Sequence, residues 1–441
     1  MQISVIGCGY LGAVHAASMA ELGHDVVGID VDAAKVALLS QGRAPFHEPG
    51  FDELLGRHVA SGRLRFSTDY ADAAHAQVHF VGVGTPQKED SFAADLTYVH
   101  AAFTSLLPHL KPHPDGPTLV VGKSTVPVGT AAELADPIHA AGAVLVWNPE
   151  FLREGFAVQD TISPDRMVYG LPTEPAAHAA GQQVLDQVYD NLITHQQIPR
   201  MVTDYATAEL VKVAANSFLA TKISFINAMA ELCEATGADV TQLAQAIGYD
   251  DRIGAKFLRA GIGFGGGCLP KDIRAFMARA GELGVDQALT FLREVDSIND
   301  RRRDHVFNLA TRALGGNVAG KRVAVLGATF KPDTDDLRDS PALDIAARLT
   351  GAGADVVITD PQAGPILRRT RPDMTVAETA TEAITGAQLT LLLTEWTDFR
   401  QLDPTTTHPL PANATIIDGR NVLDPQQWRD AGWTFHSIGR P

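Results

Sequence analysis

The sequence predicts an α/β protein with two doubly wound, parallel-sheet domains joined by a long helix and a central helical region. Three patterns carry that expectation. Near the N-terminus a β-rich run at residues 3–6 meets glycines and then a small-residue helical stretch. A second run at residues 24–29 closes on Asp30, which completes a βαβ unit. From Thr203 to Thr236, Ala, Leu, Lys, Glu and Met predominate and neither Pro nor Gly intervenes before Gly237. That stretch predicts one helix of about 33 residues and roughly 50 Å. From Lys321 the first pattern returns as Val323-Ala-Val-Leu-Gly-Ala, a helix around residues 340–349, and Ala354-Asp-Val-Val-Ile-Thr-Asp360, which echoes His24-Asp-Val-Val-Gly-Ile-Asp30.

Both ends of the chain therefore read as Rossmann-like. Runs at residues 78–83, 118–121 and 144–147 supply further strands of the first sheet, and the Pro- and His-rich stretch 108–117 reads as a connection within it. The helical pattern continues through residues 275–283 and 287–312, interrupted by a glycine-rich segment at 261–267. At 441 residues, a domain of roughly 150 residues gives about three units. The expected division is residues 1–200, 201–314 and 315–441.

Composition excludes several classes. Hydrophobic residues at 45% and charged residues at 20% are ordinary for a globular chain. With 36 basic and 52 acidic residues the net charge is −16, a field that repels a polyanion and disfavours general nucleic-acid binding. No segment reaches the roughly 18 uninterrupted apolar residues of a membrane span. No Lys or Arg precedes Lys35, so no secretory signal is expected and the cytoplasm is the expected compartment. Three scattered cysteines, Cys8, Cys233 and Cys268, suit a reducing environment, and the 15 histidines show no metal-ligand spacing, so no metal is expected.

Gly7-Cys-Gly-Tyr-Leu-Gly12 lies between a strand and a helix, where small residues let the backbone approach a pyrophosphate at the positive helix end. Asp30 follows Gly12 by 18 residues, at the end of the second strand, where a carboxylate bonds ribose hydroxyls and repels a 2′-phosphate. NAD is thus favoured over NADP. Gly84-Thr85-Pro86 and Lys123-Ser-Thr125-Val-Pro127 follow later strands, where ligands sit in open α/β sheets.

Cys268 ends the run Gly263-Phe-Gly-Gly-Gly-Cys268 and precedes Leu-Pro270-Lys271-Asp272, with Pro270 suited to begin a helix. A helix N-terminus and a neighbouring Lys271 both favour thiolate. Context leaves Cys268 open between a nucleophile and a small residue filling a tight turn. Cys233, in the long helix, reads as core. Lys212 and Asn216 are four apart on that helix and share a face, which is either a polar site or a solvent face. In Asn148-Pro-Glu-Phe-Leu-Arg-Glu154 the carboxylates Glu150 and Glu154 are expected one helical turn apart. They can serve as general base or water-orienting groups, or sit as surface charges.

Taken in order, six segments resemble the UDP-glucose 6-dehydrogenase family, within the wider UDP-glucose/GDP-mannose dehydrogenase superfamily. They are Gly7 to Gly12, Thr125-Val-Pro-Val-Gly-Thr130, Asn148 to Gly155, Glu209-Leu-Val-Lys212 with Asn216, Gly263 to Asp272, and Phe330-Lys-Pro-Asp-Thr-Asp-Asp-Leu-Arg338. The resemblance implies an N-terminal NAD domain, a central dimerisation region carrying the cysteine loop, and a C-terminal UDP-sugar domain. It also implies a four-electron oxidation of the C6 alcohol of UDP-glucose to UDP-glucuronate, with two NAD⁺ and one water consumed. Cys268 then forms a thiohemiacetal and a thioester, Lys212 and Asn216 polarise the carbonyl oxygen, and Thr125, Glu154 and Asp272 hold a water.

By the same resemblance, NAD contacts fall on Gly7, Gly9, Tyr10, Leu11, Gly12, Asp30, Lys35, Thr85, Thr125, Glu154, Lys271 and Arg338. Substrate contacts fall on Glu150, Phe151, Leu152, Arg153, Glu154, Lys212, Asn216, Phe257, Leu258, Arg259, Ala260, Gly261, Gly265, Lys331 and Arg420. Arg252 matches an arginine that reaches a partner's substrate, so a homodimer or larger homo-oligomer is expected. Gly267 departs from relatives that carry Ser before the nucleophile. The alternatives are a sister enzyme acting on GDP-mannose or a UDP-N-acetylhexosamine, a two-electron hydroxyacid dehydrogenase, and a silent nucleotide-sugar binder. The loop ending in Cys268 argues against the hydroxyacid enzyme, and the intact Cys268, Lys212, Asn216 and Asp272 argue against the silent binder.

Overall fold

The computed structural model describes every residue from Met1 to Pro441. The chain packs as two compact units: Met1–Ala215 with Arg274–Gly284, and Asn216–Ile273 with Val285–Pro441.

The first unit is built on eight strands: β1 (Gln2–Ile6), β2 (Asp25–Ile29), β3 (Leu64–Ser67), β4 (Val78–Val81), β5 (Leu119–Gly122), β6 (Val144–Trp147), β7 (Met167–Leu171) and β8 (Arg200–Asp204). Their spatial order is β3-β2-β1-β4-β5-β6-β7-β8. Every neighbouring pair is parallel except β6 and β7, which meet antiparallel at Trp147 and Gly170. The order reverses between β1 and β4, and that crevice is where open α/β sheets take ligands. β1, β4, β5, β6 and β7 are buried almost throughout because helices cover both faces, so they read as continuous apolar runs. Strands β3, β7 and β8 have weaker sequence signatures and extend the sheet beyond the strands expected. The last of them runs past residue 200.

Helix Tyr10–Glu21 packs on this sheet through Gly12, Ala13, Ala16, Ala17 and Ala20, all buried. Small side chains are required at its start: a Cβ on Gly12 would stand 1.8 Å from the Gly7 carbonyl oxygen. The long helix runs Tyr205–Thr236, 32 residues, close to the expected length. Its first turns dock on the same sheet, with the Tyr205 hydroxyl donating to Leu145 O at 2.7 Å and Ala208 filling the space above Gly170.

The second unit carries six parallel strands: β9 (Arg322–Leu326), β10 (Asp355–Thr359), β11 (Thr375–Val376), β12 (Leu389–Leu392), β13 (Thr415–Asp418) and β14 (Thr434–Ser437). Their order is β11-β10-β9-β12-β13-β14. The repeat of the first pattern is thus a second doubly wound sheet with its own reversal, between β9 and β12. Helix Pro341–Gly351 begins on Ser340, whose hydroxyl accepts the Leu343 N–H, with Pro341 in its first turn. No helix of the chain is long and apolar enough to cross a membrane.

Candidate active site

In the first unit, the glycine loop ends at the N-terminus of helix Tyr10–Glu21. Gly7 adopts φ +86°, which a side chain would strain, and its N–H bonds Ile29 O at 2.7 Å. Gly9 caps the helix without a side-chain hydrogen bond, no acidic residue stands in the first turn, and nothing lies within 4 Å of where a Cβ would be. Backbone N–H groups with no side-chain cap at a positive helix end suit a pyrophosphate. Asp30, 8% exposed, takes the Cys8 N–H at 2.8 Å and the Lys35 ammonium at 3.0 Å on one oxygen, and the Asp32 N–H at 3.0 Å on the other. The chain thus fixes this carboxylate at the strand end, where a dinucleotide ribose belongs. Thr85 donates to Thr125 O at 2.9 Å, which joins the two hydroxyl-bearing loops. The donors and shape of this crevice fit NAD.

Tyr10 has a further role. Its hydroxyl donates to Glu48 and accepts the Gly155 N–H at 3.0 Å. Glu48 is itself buried and accepts the N–H groups of Gly155 at 2.6 Å and Ala157 at 2.7 Å, so it caps helix Ala157–Ile162. Glu48 belongs to no motif of the sequence, because the N–H groups it accepts lie more than a hundred residues further along the chain.

The expected helical turn linking Glu150 to Glu154 is not formed. Residues 148–156 are irregular, and the helix begins only at Ala157, because Glu150 turns back on its own chain: one oxygen accepts the N–H groups of Phe151 at 2.8 Å and Leu152 at 3.2 Å. Its other oxygen pairs with Lys123 at 3.0 Å. Arg153 is bound to Asp160 by its backbone N–H and guanidinium, at 2.7 to 2.9 Å. The Phe151 ring carries two cations, Arg166 at 4.1 Å and Lys212 at 5.5 Å from the centroid. Glu209, one turn before Lys212, accepts Gly129 N–H and Ala131 N–H, both at 2.7 Å, at the start of helix Thr130–Ala140. Burial pushes its carboxyl up to about 6.

In the second unit, Cys268 stands at the N-terminus of helix Leu269–Glu282, its carbonyl accepting the Asp272 N–H at 2.9 Å. The helix starts one residue earlier than expected, so Pro270 is its second residue rather than its first. Cys268 is exposed, whereas Cys8 and Cys233 are buried and burial raises both of their pKa values. Asp272, 2% exposed, accepts the Asn216 amide at 2.6 Å on one oxygen and the Lys271 ammonium at 2.6 Å on the other. Asn216 is therefore not on a solvent face; it is buried against a carboxylate. Asp272 orients its amide through one N–H, which leaves the second N–H of that NH2 group to donate.

The glycine-rich loop is held by polar side chains from four directions. Asn227 accepts the Gly261 N–H at 2.9 Å, Asn299 exchanges two bonds with Phe264, Arg302 donates to Gly261 O, and Arg420 donates to Gly263 O at 3.1 Å. The glycines are needed because the chain passes close to residues 330–339: a Cβ on Gly265 would stand 2.2 Å from Asp339 O, and one on Gly266 2.7 Å from the Phe330 ring. At Gly267 the obstacle is the Arg338 guanidinium, which is flexible enough to move, so a serine there is sterically possible. Arg420 also donates to Leu393 O at 2.7 Å and Phe330 O at 3.1 Å, and pairs with Glu395 at 3.3 Å. Its guanidinium thus staples the loop to the second sheet.

In the segment 257–261, Leu258 and Ala260 are buried while Phe257 and Arg259 are exposed, and Phe257 takes φ +66°. Lys331 lies 5.4 Å from the Phe330 ring centroid. Arg252 is exposed and held by Asp250 through contacts of 2.6 to 3.2 Å. No group of three or more His, Cys, Asp or Glu side chains comes together as a metal ligand set.

Residues 1–193, 206–301 and 324–425 match, in turn, the NAD binding domain, the central domain and the UDP binding domain of one family. The chain belongs to the UDP-glucose/GDP-mannose dehydrogenase family. It is an oxidoreductase that uses NAD. It is 41% identical to a UDP-glucose 6-dehydrogenase of Rhizobium meliloti, with all of both chains covered. It is 40% identical to the enzyme YwqF of Bacillus subtilis, another UDP-glucose 6-dehydrogenase, covering all of this chain and 98% of that one. Among solved structures, a UDP-glucose dehydrogenase of Pyrobaculum islandicum superimposes with a TM-score of 0.89 at 36% identity, covering 100% of this chain and 98% of the other. A UDP-D-ManNAc dehydrogenase of Pyrococcus horikoshii gives 0.85 at 25% identity, covering 100% and 99%.

Proposed function

We propose that this family member converts UDP-glucose to UDP-glucuronate: UDP-glucose, two NAD⁺ and one water give UDP-glucuronate, two NADH and protons. The observation that carries this reading is Cys268, an exposed thiol at a helix N-terminus whose next turn holds the Asn216–Asp272–Lys271 cluster. A two-electron alcohol oxidation has no use for such a thiol; oxidation of an aldehyde to an acid does.

NAD, held along the loop Gly7 to Gly12 and at Asp30, supplies the two-electron acceptor for each stage. Lys212 and Asn216, one turn apart on the long helix, donate to the C6 oxygen as negative charge develops on it. Thr125, Glu154 and Asp272 hold the water that takes up the alcohol proton and later hydrolyses the acyl group. Cys268 sulfur adds to the aldehyde carbon to give a thiohemiacetal. Loss of a second electron pair leaves a thioester, and water then releases the acid and frees the thiol. Residues Glu150 to Glu154, Phe257 to Gly261, Gly265 and Lys331 form the sugar-nucleotide contacts.

The working division is residues 1–200 for NAD, 201–314 for the helical region with the cysteine loop, and 315–441 for the UDP-sugar. A homodimer is favoured by the long helix, where Phe218, Phe225 and Leu232, seven residues apart, are 67%, 48% and 57% exposed. Arg252 then serves a partner's substrate, and the enzyme works in the cytoplasm.

The test is NADH formed per limiting UDP-glucose at saturating NAD⁺, followed by absorbance. Two equivalents support the substrate and the four-electron course together. One equivalent makes Cys268 a bystander, and none turns the reading to GDP-mannose or a UDP-N-acetylhexosamine.

A further inference from the structure

Lys123 follows β5, its backbone N–H bonded to Val81 O at 2.9 Å, and its side chain is 5% exposed. The ammonium lies 3.0 Å from a Glu150 oxygen, 3.1 Å from the Asn148 side-chain oxygen and 5.7 Å from the Phe80 ring centroid. Each partner is itself fixed. Asn148, 3% exposed, also accepts the Tyr189 hydroxyl at 2.9 Å and donates to Val168 O at 2.9 Å. The second Glu150 oxygen holds the N–H groups of Phe151 and Leu152. His15, buried nearby, is kept neutral by desolvation and by Lys123, so Glu150 is the charge that answers this cation. A buried ammonium with a single carboxylate partner is strongly destabilising once stranded, so the pair is made or lost together.

We propose that Lys123 is a positioning residue for Glu150, fixing from the interior the carboxylate from which the segment Phe151 to Glu154 departs. The role rests on the reading above, in which that segment meets the sugar nucleotide. Interior cation and backbone N–H groups leave the carboxylate one orientation, so the chain leaves it in one direction although no helix forms there.

Lys123→Met strands the carboxylate. It is expected to lower kcat about tenfold to a hundredfold, as displacement of a reacting group by an ångström does. Lys123→Gln, which keeps one donor, recovers part of the loss. Glu150→Gln also slows turnover, and Lys123→Met in that background costs nothing more. A Lys123 that merely stabilised the unit would instead lower the melting temperature while leaving kcat per folded site near the parent value; that result overturns the proposal. Multiplicative losses in the double variant overturn it as well. Should Lys123→Met fail to fold, the double variant, which buries no unpaired charge, still gives the comparison with Glu150→Gln. A parent enzyme that makes two NADH per UDP-glucose while the variants prove multiplicative sinks only the positioning role. A parent that turns over no nucleotide sugar sinks the functional reading and this role together.

Discussion

Gly9 and Gly12 belong to one loop but are glycines for different reasons, and substituting each by alanine separates them. A Cβ on Gly12 would meet the Gly7 carbonyl oxygen at 1.8 Å and its carbon at 2.9 Å. Ordinary non-bonded contacts between heavy atoms lie at about 3.5 Å, so helix and strand end must part by well over an ångström. Overpacking of that kind costs about 1–3 kcal/mol, and each kcal/mol lowers the melting temperature of a unit this size by about 2–4 °C. Gly12→Ala is therefore expected to melt several degrees lower without ligand, and to bind NAD poorly because the loop has moved.

Gly9, at φ −67° and ψ −166° with open space around it, accepts alanine with a stability change within about 0.5 kcal/mol. Its methyl group instead occupies the approach to the helix N-terminus, where loss of one hydrogen bond to a charged oxygen costs about 1.5–3 kcal/mol. NAD affinity is then expected to fall about tenfold to a hundredfold. Thermal unfolding without ligand and calorimetric NAD titration read the two quantities separately. Parent-like NAD binding by Gly9→Ala, or a parent-like melting temperature for Gly12→Ala, would refute the reasoning.

Four further outcomes are expected. Cys268→Ser should bind NAD as the parent does yet release no glucuronate, checked by calorimetry and product chromatography; normal acid formation would remove the thiol from the mechanism. Asp30→Asn keeps one acceptor and loses the charge, so the ratio of kcat/KM for NAD over NADP should narrow, and an unchanged ratio would place the ribose elsewhere. Glu209 releases its proton near 4.5 in the unfolded chain and near 6 in the folded one, so stability should fall by about 2 kcal/mol as pH rises through that window and stay level above it. Glu209→Gln should flatten that slope in urea unfolding, and a slope that persists would assign it to another group. Phe225→Asp should reduce the mass seen by light scattering to that of one chain; an unchanged mass would remove the long-helix stripe from the subunit contact.

Much of the site was legible because its chemistry is written in short, local patterns. The glycine loop, Asp30 at a strand end and Cys268 before Leu-Pro270 each depend on neighbours within a few residues, and the structure sets each at the helix or strand end its pattern implied. The Glu150 to Glu154 segment reads as a helical turn in sequence because residues four apart share a helix face. Only the N–H groups captured by Glu150, and Lys123 behind it, decide that the backbone stays irregular. Glu48 and Lys123 had no usable signal, since their partners lie 107 and 27 residues away and periodicity carries no record of such contacts.

The sequence by itself determined the two doubly wound sheets, the long helix that links them along the chain, the NAD-type crevice and the identity of the exposed thiol's loop, since apolar periodicity, glycine placement and helix-end chemistry are local constraints. Tertiary structure decided the rest. Asn216 became a buried amide oriented by Asp272 instead of a surface residue, the glycines at 265 and 266 proved to be clearance for residues 330–339, and Arg420 became a staple on three carbonyl oxygens. Those outcomes turn on which polar groups meet when distant segments are buried together. Burial makes each such pairing obligatory, but only the folded chain says which groups are there to be paired.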